Sequence, residues 1–222
     1  MTRTASSNRD GFTLIEIVIA VAIVAIFAAA ISPMVFRHLE DAKISKAQNE
    51  TETISAAILS YYKDTGSWPY TNANGPTGNA IDRIISSDMV ASGAGPDAEQ
   101  GARNWGRYGN TKQLGDFLYY NNPDDDSSDT GRSADQANQD WPLSGRGAWK
   151  GPYVDSYEIE DPWGNAYVVN ARYLPGGRYG GSVRHKVFVL SAGPNGEWET
   201  GFSDGATGEI AGDDVGTVVS IR

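Results

Sequence analysis

Glu16 is the residue whose chemistry fits its surroundings least well. It lies near the start of an apolar stretch that runs from Phe12 to Phe36. An ionised carboxylate at the centre of a lipid bilayer costs about 2.5–3.5 kcal/mol on insertion scales, so a carboxylate in such a segment usually marks a function. A positively charged amine would stabilise it. The alternative is that Glu16 simply extends towards the membrane interface.

Other side chains that could carry out chemistry are scarce. The chain of 222 residues contains no cysteine and only two histidines, His38 and His185. Thiolate metal sites, disulfides and histidine-based triads are therefore excluded or poorly supported. Acidic pairs are common, but no nucleophile and base accompany them. The net charge of -10, with no cluster of Lys and Arg, argues against a nucleic-acid partner. We expect a protein that is not an enzyme.

The apolar stretch is long enough to hold Glu16 inside a membrane. Residues 12–36 exceed the roughly 20 residues that a helix needs to span a bilayer. Arg3 and Arg9 precede the stretch, so residues 1–11 should stay in the cytoplasm while the remainder crosses the membrane. The simplest interpretation of this pattern alone is a signal-anchor helix.

The residues at the start of the stretch, Gly11-Phe12-Thr13-Leu14-Ile15-Glu16, support a more specific interpretation. They resemble the processing site of class III signal peptides, found in type IV pilins and type II secretion pseudopilins. The resemblance implies that residues 1–11 form a leader, that a prepilin peptidase cleaves between Gly11 and Phe12, and that the new N-terminal Phe12 is methylated. Asp10 departs from the pattern, because a basic residue commonly precedes the glycine.

The same resemblance implies roles in assembly for Glu16 and Pro33. Cleavage creates a charged amine at Phe12, and in a filament the amine of a neighbouring subunit could pair with Glu16 and set the register of assembly. Pro33 removes one backbone hydrogen bond from the helix, so a kink or local melting is expected there. In pilin-like filaments the helix can loosen near such a proline. A kink without consequence for assembly is the alternative.

Beyond Phe36 the pattern becomes that of an amphipathic helix over residues 37–64. Five residues recur at steps of four and three and therefore share one face: Ala47, Thr51, Ile54, Ile58 and Tyr61. Lys46, Asn49, Glu52 and Ser55 are expected to lie away from that face. Asp64, Gly66 and Pro69 supply stop signals. The pattern predicts one helix from about Thr13 to Lys63, with its outer half packed on a globular domain.

Residues 65–147 form a variable region rich in acidic and aromatic residues. Short apolar runs at 81–85 and 117–120 interrupt it, and it is too long for a structureless loop, so local helices or surface excursions are expected. Asp124, Asp126 and Ser128 have the alternate spacing of a calcium loop. The glycine and distal glutamate of an EF-hand are missing, which favours a solvated acidic loop.

Residues 148–222 are expected to form a sheet. Asp161-Pro162 and Gly164-Asn165 are turn dipeptides, and strand-forming residues occupy segments 166–173, 186–190 and 216–221. These segments predict a small antiparallel sheet packed against the helix, which is an α+β fold.

This C-terminal region resembles that of the major (G-type) pseudopilin of bacterial type II secretion. The matching segments are GPYV at 151–154, DPWGNAY at 161–167, SAGPNG at 191–196 and GDD at 212–214. The resemblance implies a type IV pilin-like fold whose C-terminal loop binds a structural calcium ion. Its ligands would be the backbone carbonyl of Ala192 and the side chains of Asn195, Asp213 and Asp214.

Two departures affect this calcium site. Asn195 replaces a charged ligand, and the segment 196–212 is long, so Glu197, Glu199 or Asp204 could substitute. A Gly- and Asp-rich hairpin without an ion is the alternative. True pilins often fasten this loop with a disulfide, so the absence of cysteine favours the pseudopilin branch.

The resemblance implies a structural subunit that polymerises into a periplasmic filament for type II secretion. It would be a single-pass protein of the inner membrane, with a cytoplasmic N-terminus and a periplasmic C-terminal domain. The implied partners are further copies of the chain, the prepilin peptidase, an inner-membrane assembly platform with its ATPase, and minor pseudopilins.

A type IV pilin (major or minor) of a surface pilus, with an adhesive or ligand-binding role, is the alternative function. Aromatic side chains of the variable region could stack on ligands or could belong to the core: Trp68, Tyr70, Trp105, Tyr108 and Trp141.

Overall fold

One long helix connects two compact units of the chain. The computed structural model describes residues 11–71, 81–87, 111–123, 140–176, 186–201 and 209–219. Helix α1 spans Leu14–Thr65, and the chain divides into the units Met1–Ala42 and Lys43–Arg222. The predicted helix from about Thr13 to Lys63 is therefore confirmed. The leader residues 1–10 and the acidic run at 124–128 lie outside the described residues.

The first unit consists of a helical segment without internal packing partners. Residues 11–42 are all exposed, and the large apolar side chains between Phe12 and Leu39 are 47–84% exposed. With a mean hydropathy of 3.0 over 18 residues, α1 is long and apolar enough to cross a membrane. The helix is unbroken at Pro33, so the local melting considered from the sequence is absent from the single chain. In the preceding turn, the Ser32 hydroxyl donates a hydrogen bond to the Ala28 carbonyl at 2.7 Å.

The second unit contains a five-stranded sheet and a short helix. The strands are β1 (Arg83–Ile85), β2 (Thr111–Gln113), β3 (Val168–Val169), β4 (Val187–Ser191) and β5 (Val215–Val219). Their order across the sheet is β2-β1-β3-β4-β5. Helix α2 spans Leu114–Leu118, directly after β2, and a 3₁₀ turn at Ala171–Tyr173 follows β3. The predicted α+β class is confirmed.

The observed sheet differs from the predicted sheet in two respects. Strands β1 and β2 come from the variable region, and they pair in parallel, whereas all other pairs are antiparallel. The sheet is therefore mixed, and the prediction of a purely antiparallel sheet is wrong. Residues 86–110 separate β1 from β2, which exceeds the dozen or so residues that a parallel crossover requires.

The outer half of α1 packs on this sheet through the predicted face. The five residues of that face are at most 1% exposed: Ala47, Thr51, Ile54, Ile58 and Tyr61. Of these, Ile54, Ile58 and Tyr61 belong to one apolar core with sheet residues such as Val168, Phe188 and Leu190. Ser55, which was expected to lie away from this face, is only 6% exposed, because it lies four residues after Thr51 and three before Ile58 and so shares their side of the helix.

Polar contacts also join α1 to β5. Gln48 Nε2 donates a hydrogen bond to the Thr217 hydroxyl at 3.1 Å, and the hydroxyls of Thr51 and Thr217 are 3.2 Å apart. Strand β5 begins directly after Asp213 and Asp214, so these contacts anchor the end of the C-terminal loop to the helix.

Candidate functional site

The N-terminal end of α1 is closed by a reciprocal pair of residues. Thr13 precedes the first helical residue, and its hydroxyl accepts a hydrogen bond from the Glu16 N–H at 3.3 Å. In return, Glu16 Oε2 accepts hydrogen bonds from the Thr13 N–H at 2.8 Å and the Thr13 hydroxyl at 2.7 Å. This is a capping box, in which two backbone donors at the helix start are satisfied. The Thr-x-x-Glu spacing could have revealed it from the sequence.

The capping box shows what Glu16 does in a single chain. Its carboxylate is held by Thr13, the residue that follows Phe12, and the Phe12 side chain is 84% exposed. No described atom lies within 4 Å of the position that a Cβ on Gly11 would take. The Gly11–Phe12 junction is therefore open on the described side.

The predicted calcium ligands all lie in the loop between β4 and β5. The strands pair so that Ser191 lies opposite Val215, which brings the loop's two ends close together. The buried residue Ala192 follows β4, and Asp213 and Asp214 precede β5. Asn195 lies near both ends, because its N–H donates a hydrogen bond to Asp213 Oδ2 at 3.3 Å.

Two glycines with left-handed backbones allow this close approach. Gly193 has φ +66°, and a Cβ there would collide with the carbonyl oxygen of Asp213. Gly212 has φ +63°, and a Cβ there would lie 2.6 Å from the side-chain carbons Cγ and Cδ of Glu199. Both positions therefore require glycine for space as well as for backbone conformation.

The loop holds three carboxylate oxygens in an unusual environment. Glu199 Oε2, Asp213 Oδ1 and Asp214 Oδ1 are buried, and none has a hydrogen-bond partner among the described residues. The other Asp214 oxygen accepts hydrogen bonds from the N–H groups of Thr200 at 2.6 Å and Glu199 at 3.2 Å. A buried carboxylate oxygen without a partner is costly, and a hydrogen-bond donor, a water molecule or a cation would each lower that cost.

Burial also changes the pKa of Asp214. Burial raises the pKa of its carboxyl to about 6; hydrogen bonds from Thr200 and Glu199 oppose this rise, and the negative charge of Glu199 adds to it. Asp214 is 8% exposed, so water cannot solvate its charge well. Burial therefore makes the ionised form of Asp214 less favourable than it is in water.

Asp161 supports the loop from outside, a link that sequence reasoning missed. Its Oδ1 accepts hydrogen bonds from the N–H groups of Trp163 and Asn165, at 2.9 and 2.8 Å. Its Oδ2 accepts a hydrogen bond from the Ser191 hydroxyl at 2.5 Å, and that hydroxyl accepts one from the Gly193 N–H at 3.1 Å. The DPWGN turn and the SAGPNG turn are thus joined. Both motifs are visible in the sequence, but their contact is not.

The groups in this loop are of the chemical type that binds calcium. Their side chains do not converge on one position. Carboxylate and carbonyl oxygens are the ligands that calcium prefers. Among the described residues, however, no three acidic or histidine side chains already meet at metal-binding distances. Asp204, one of the candidate substitutes, lies outside the described residues.

Comparisons with known proteins identify the motif at the N-terminal end of the chain. Residues 6–32 match the family model for the prokaryotic N-terminal methylation motif. The chain is 36% identical over 107 residues to type II secretion system core protein G of Pseudomonas aeruginosa, covering 48% of this chain and 66% of that protein. The chain carries the N-terminal methylation motif of type IV pilin-like proteins.

The chain is also similar to pilins. It is 34% identical over 87 residues to fimbrial protein EcpC of Eikenella corrodens, covering 39% of this chain and 57% of that protein. It is 37% identical over 88 residues to type IV major pilin protein PilE1 of Neisseria gonorrhoeae, covering 38% and 41%. The chain thus spans between 41% and 66% of the length of these curated relatives. No solved structure matches it significantly.

These relatives are structural pilin and pseudopilin subunits, not enzymes, which supports the expectation that this chain is not an enzyme. The aromatic residues considered for ligand binding mostly belong to the core. Trp68 and Trp141 are 6% and 7% exposed, and the Tyr70 hydroxyl donates a hydrogen bond to the Pro175 carbonyl at 2.8 Å. Trp105 and Tyr108 lie outside the described residues.

Proposed function

We propose that this protein is a pseudopilin subunit of a type II secretion system. A prepilin peptidase cleaves it between Gly11 and Phe12 and methylates Phe12. The mature chain then polymerises from the inner membrane into a periplasmic filament that drives protein export. The assembly platform, its ATPase and minor pseudopilins are the partners that this role requires.

The observation that carries the proposal is the complete exposure of an apolar helix directly behind a methylation motif. None of residues 12–36 is buried within the single chain, and a helix that is apolar on all sides requires a membrane or other helices around it. A filament supplies neighbouring helices in the place that lipid occupied before. Each subunit therefore exchanges one apolar environment for another as it assembles.

Glu16 sets the register in which neighbouring subunits pack. In the single chain Thr13 satisfies its carboxylate. Cleavage adds a charged amine at Phe12, and a neighbour's amine in an apolar surround pairs strongly with a carboxylate. Stacked subunits would each satisfy the next, so that wrong registers leave a charge unpaired.

Two observations favour secretion over a surface pilus. The similarity to core protein G extends over 48% of this chain, against 38–39% for the pilins named above. The chain also lacks cysteine, so its C-terminal loop has no disulfide to close it. A type IV pilin of a surface pilus is the second candidate, supported by the pilin matches.

A calcium ion would close this loop in place of a disulfide. The carboxylates of Asp213 and Asp214 and the carbonyl of Ala192 are positioned on the two ends of the loop. Calcium would supply the positive charge that their buried oxygens require, and it would join the two chain segments as a structural cross-link.

The first test is the intact mass and N-terminal sequence of the protein from its native membrane. We expect a chain that begins at a methylated Phe12. A chain that still begins at Met1, in cells with an active prepilin peptidase, would contradict the proposal.

A second test separates processing from assembly. Glu16→Ala should insert and be cleaved like the wild type but assemble poorly, as measured by cross-linking and by the yield of sheared filaments. Glu52→Ala removes an exposed acidic residue of the same helix and serves as the matched control. Normal filaments from Glu16→Ala would remove the role of Glu16 in register.

Deletion of the chain distinguishes the two candidate functions. Loss of exported proteins from the medium, with their accumulation in the periplasm and surface pili unchanged, supports the secretion role. Loss of surface pili with normal export would assign the chain to a pilus.

A further inference from the structure

An exposed turn of the second unit carries an apolar side chain and a cation close together in sequence. In the described part of that unit, the large apolar side chains that are at least 40% exposed are Ile44, Tyr62 and Leu143. Leu143 is 51% exposed, and Arg146, three residues later, is also exposed. No carboxylate among the described residues forms an ion pair with Arg146. The turn of residues 142–147 therefore offers both an apolar group and a positive charge to a partner.

Two buried tryptophans hold this turn in a defined conformation. Trp141 and Trp149 flank it and are 7% and 4% exposed. The Trp149 N–H donates a hydrogen bond to the Pro142 carbonyl at 2.9 Å, which closes the turn. The buried Asn121 side chain donates to the Trp141 carbonyl at 2.7 Å and accepts from the Trp141 N–H at 3.2 Å. A turn that is already ordered loses little conformational entropy when it binds a partner.

A groove on the same unit has the complementary character. It lies between the outer half of α1 and residues 153–160 and has a volume of about 540 Å³. Ile54, Val154 and Ile159 contribute apolar surface to it. An apolar side chain of a partner could therefore be covered there.

The charged side chains that line this groove are all negative. Glu50 Oε2 accepts a hydrogen bond from the Tyr167 hydroxyl at 2.5 Å, and Glu50 Oε1 lies 3.6 Å from the Lys46 amine. The other three acidic residues are exposed and form no ion pair with a described residue. They are Asp155, Glu158 and Glu160. The groove therefore attracts a partner that carries a cation beside an apolar group, and it repels an acidic one.

We propose that the 142–147 turn of one subunit inserts into this groove of the next subunit in the filament. Leu143 contacts the apolar lining, and Arg146 pairs with the carboxylates of the groove. This inference rests on the polymerisation in the proposed function. It adds a contact between the globular domains to the packing of the apolar helices.

The occupant is a second copy of the chain because one chain carries both complementary surfaces. A contact between two unlike surfaces is heterologous, so each added copy leaves one turn and one groove unused at the two ends. Such contacts close into rings or continue as helical filaments. A separate basic partner would fill the groove but would leave the exposed turn without a role.

Introduced cysteines can report this contact without interference, because the chain has none of its own. Ser144 in the turn and Ser156 in the groove are exposed, so Ser144→Cys and Ser156→Cys should preserve the fold. In cells that assemble filaments, the chain with both changes should give a ladder of multimers with a short bismaleimide. Co-expressed chains that carry one change each should give dimers only, which places the contact between chains.

The controls for cross-linking use the same reagent. Each single variant expressed alone should give no multimers. The chain with Ser144→Cys and Ser60→Cys should give no ladder either, since Ser60 is an exposed residue of α1 outside the groove.

Reversal of charge tests the ion pairing. Arg146→Glu and Glu158→Arg each replace an attraction by a repulsion, so each should lower the yield of sheared filaments about tenfold. The double variant restores opposite charges and should recover most of the yield. Lys63→Glu and Glu52→Arg make the same changes on exposed residues of α1 outside the groove and should leave the yield unchanged. Thermal unfolding of each processed chain in detergent verifies that its domain is folded.

Three results would overturn the inference while the filament itself stands. The first is a normal yield from both single charge reversals, and the second is equal cross-linking of the Ser144→Cys/Ser156→Cys and Ser144→Cys/Ser60→Cys variants. The third is a loss of yield in both single reversals without recovery in the double variant, which would assign the groove to a different basic partner. A wild-type chain that forms no filaments would remove the proposed polymerisation and this contact with it.

Discussion

The two halves of α1 have the same backbone but opposite relations to their surroundings. Before Ala42 every described side chain is exposed, including isoleucines, valines and phenylalanines. After Lys43 the helix buries one face and exposes the other. The first half is apolar on all sides, whereas the second half carries apolar residues in a stripe.

This difference shows that burial depends on the pattern of apolar residues and on what surrounds them. A stripe can be covered by one sheet within the same chain. A helix that is apolar on all sides needs an environment all around it, which one small domain cannot supply. The first half is therefore expected to contribute to insertion and assembly, and the second half to the stability of the domain.

The same substitution made in each half of α1 tests this difference. Ile58 is 0% exposed and Ile23 is 48% exposed. Ile58→Ala should lower the free energy of unfolding of the domain by about 2–5 kcal/mol, because it leaves a cavity in the core. Ile23→Ala should leave it unchanged. Denaturant unfolding in detergent, followed by tryptophan fluorescence, measures both, since all six tryptophans lie in the second unit.

Filament yield, compared between samples with the same fraction of folded domain, should fall more for Ile23→Ala than for Ile58→Ala. Ile23→Ala removes apolar surface that neighbouring helices would cover, so assembly should weaken although the domain stays as stable as before. Equal losses of stability from both variants would show that residues 11–42 pack on the domain, and the contrast would fail.

A smaller effect is expected where the second half makes a buried hydrogen bond. The Tyr61 hydroxyl accepts a hydrogen bond from Trp141 Nε1 at 2.6 Å, and the rings of Tyr61 and Phe117 meet edge to face at 6.1 Å. Tyr61→Phe keeps the ring contacts but leaves the Trp141 N–H buried without this acceptor. The free energy of unfolding should fall by about 1–3 kcal/mol.

The adjacent residue provides the control for Tyr61→Phe. Tyr62 is 40% exposed and stacks on Trp68 with the ring centres 4.1 Å apart. Tyr62→Phe keeps this stacking and removes only an exposed hydroxyl, so its effect should stay within about 0.5 kcal/mol. If the two variants unfold alike, the hydrogen bond to Trp141 does not contribute to stability.

The sequence predicted the elements that have a clear period. The helix, its buried face and the strands β4 and β5 follow from apolar residues at helical or strand spacing. Strand β2 could not be predicted this way, because it is three residues long and reads Thr111-Lys112-Gln113. Such a strand exists because β1 lies beside it, and that neighbour is set by the tertiary fold.

The candidate site divides in the same way. The processing motif and Glu16 are local in sequence and could be found from spacing alone. The roles of Glu199 and Asp161 depend on contacts across the loop and between two turns, since Glu199 packs against Gly212 and Asp161 bonds to Ser191. Residue types suggested these groups as candidates, but only the fold shows which of their oxygens are already in use.

The smallest expected effect concerns the polar contact between the stem and the sheet. Thr217 in β5 is hydrogen bonded to Gln48 and lies 3.2 Å from the Thr51 hydroxyl. Thr217→Val has nearly the same shape without the hydroxyl, and it should lower the free energy of unfolding by about 0.5–1.5 kcal/mol. Thr217→Ser keeps the hydroxyl and should retain the hydrogen bonds. A double-mutant cycle with Thr51→Val isolates the pair, and a coupling of zero would mean that apolar packing alone holds the second half of α1 on the sheet.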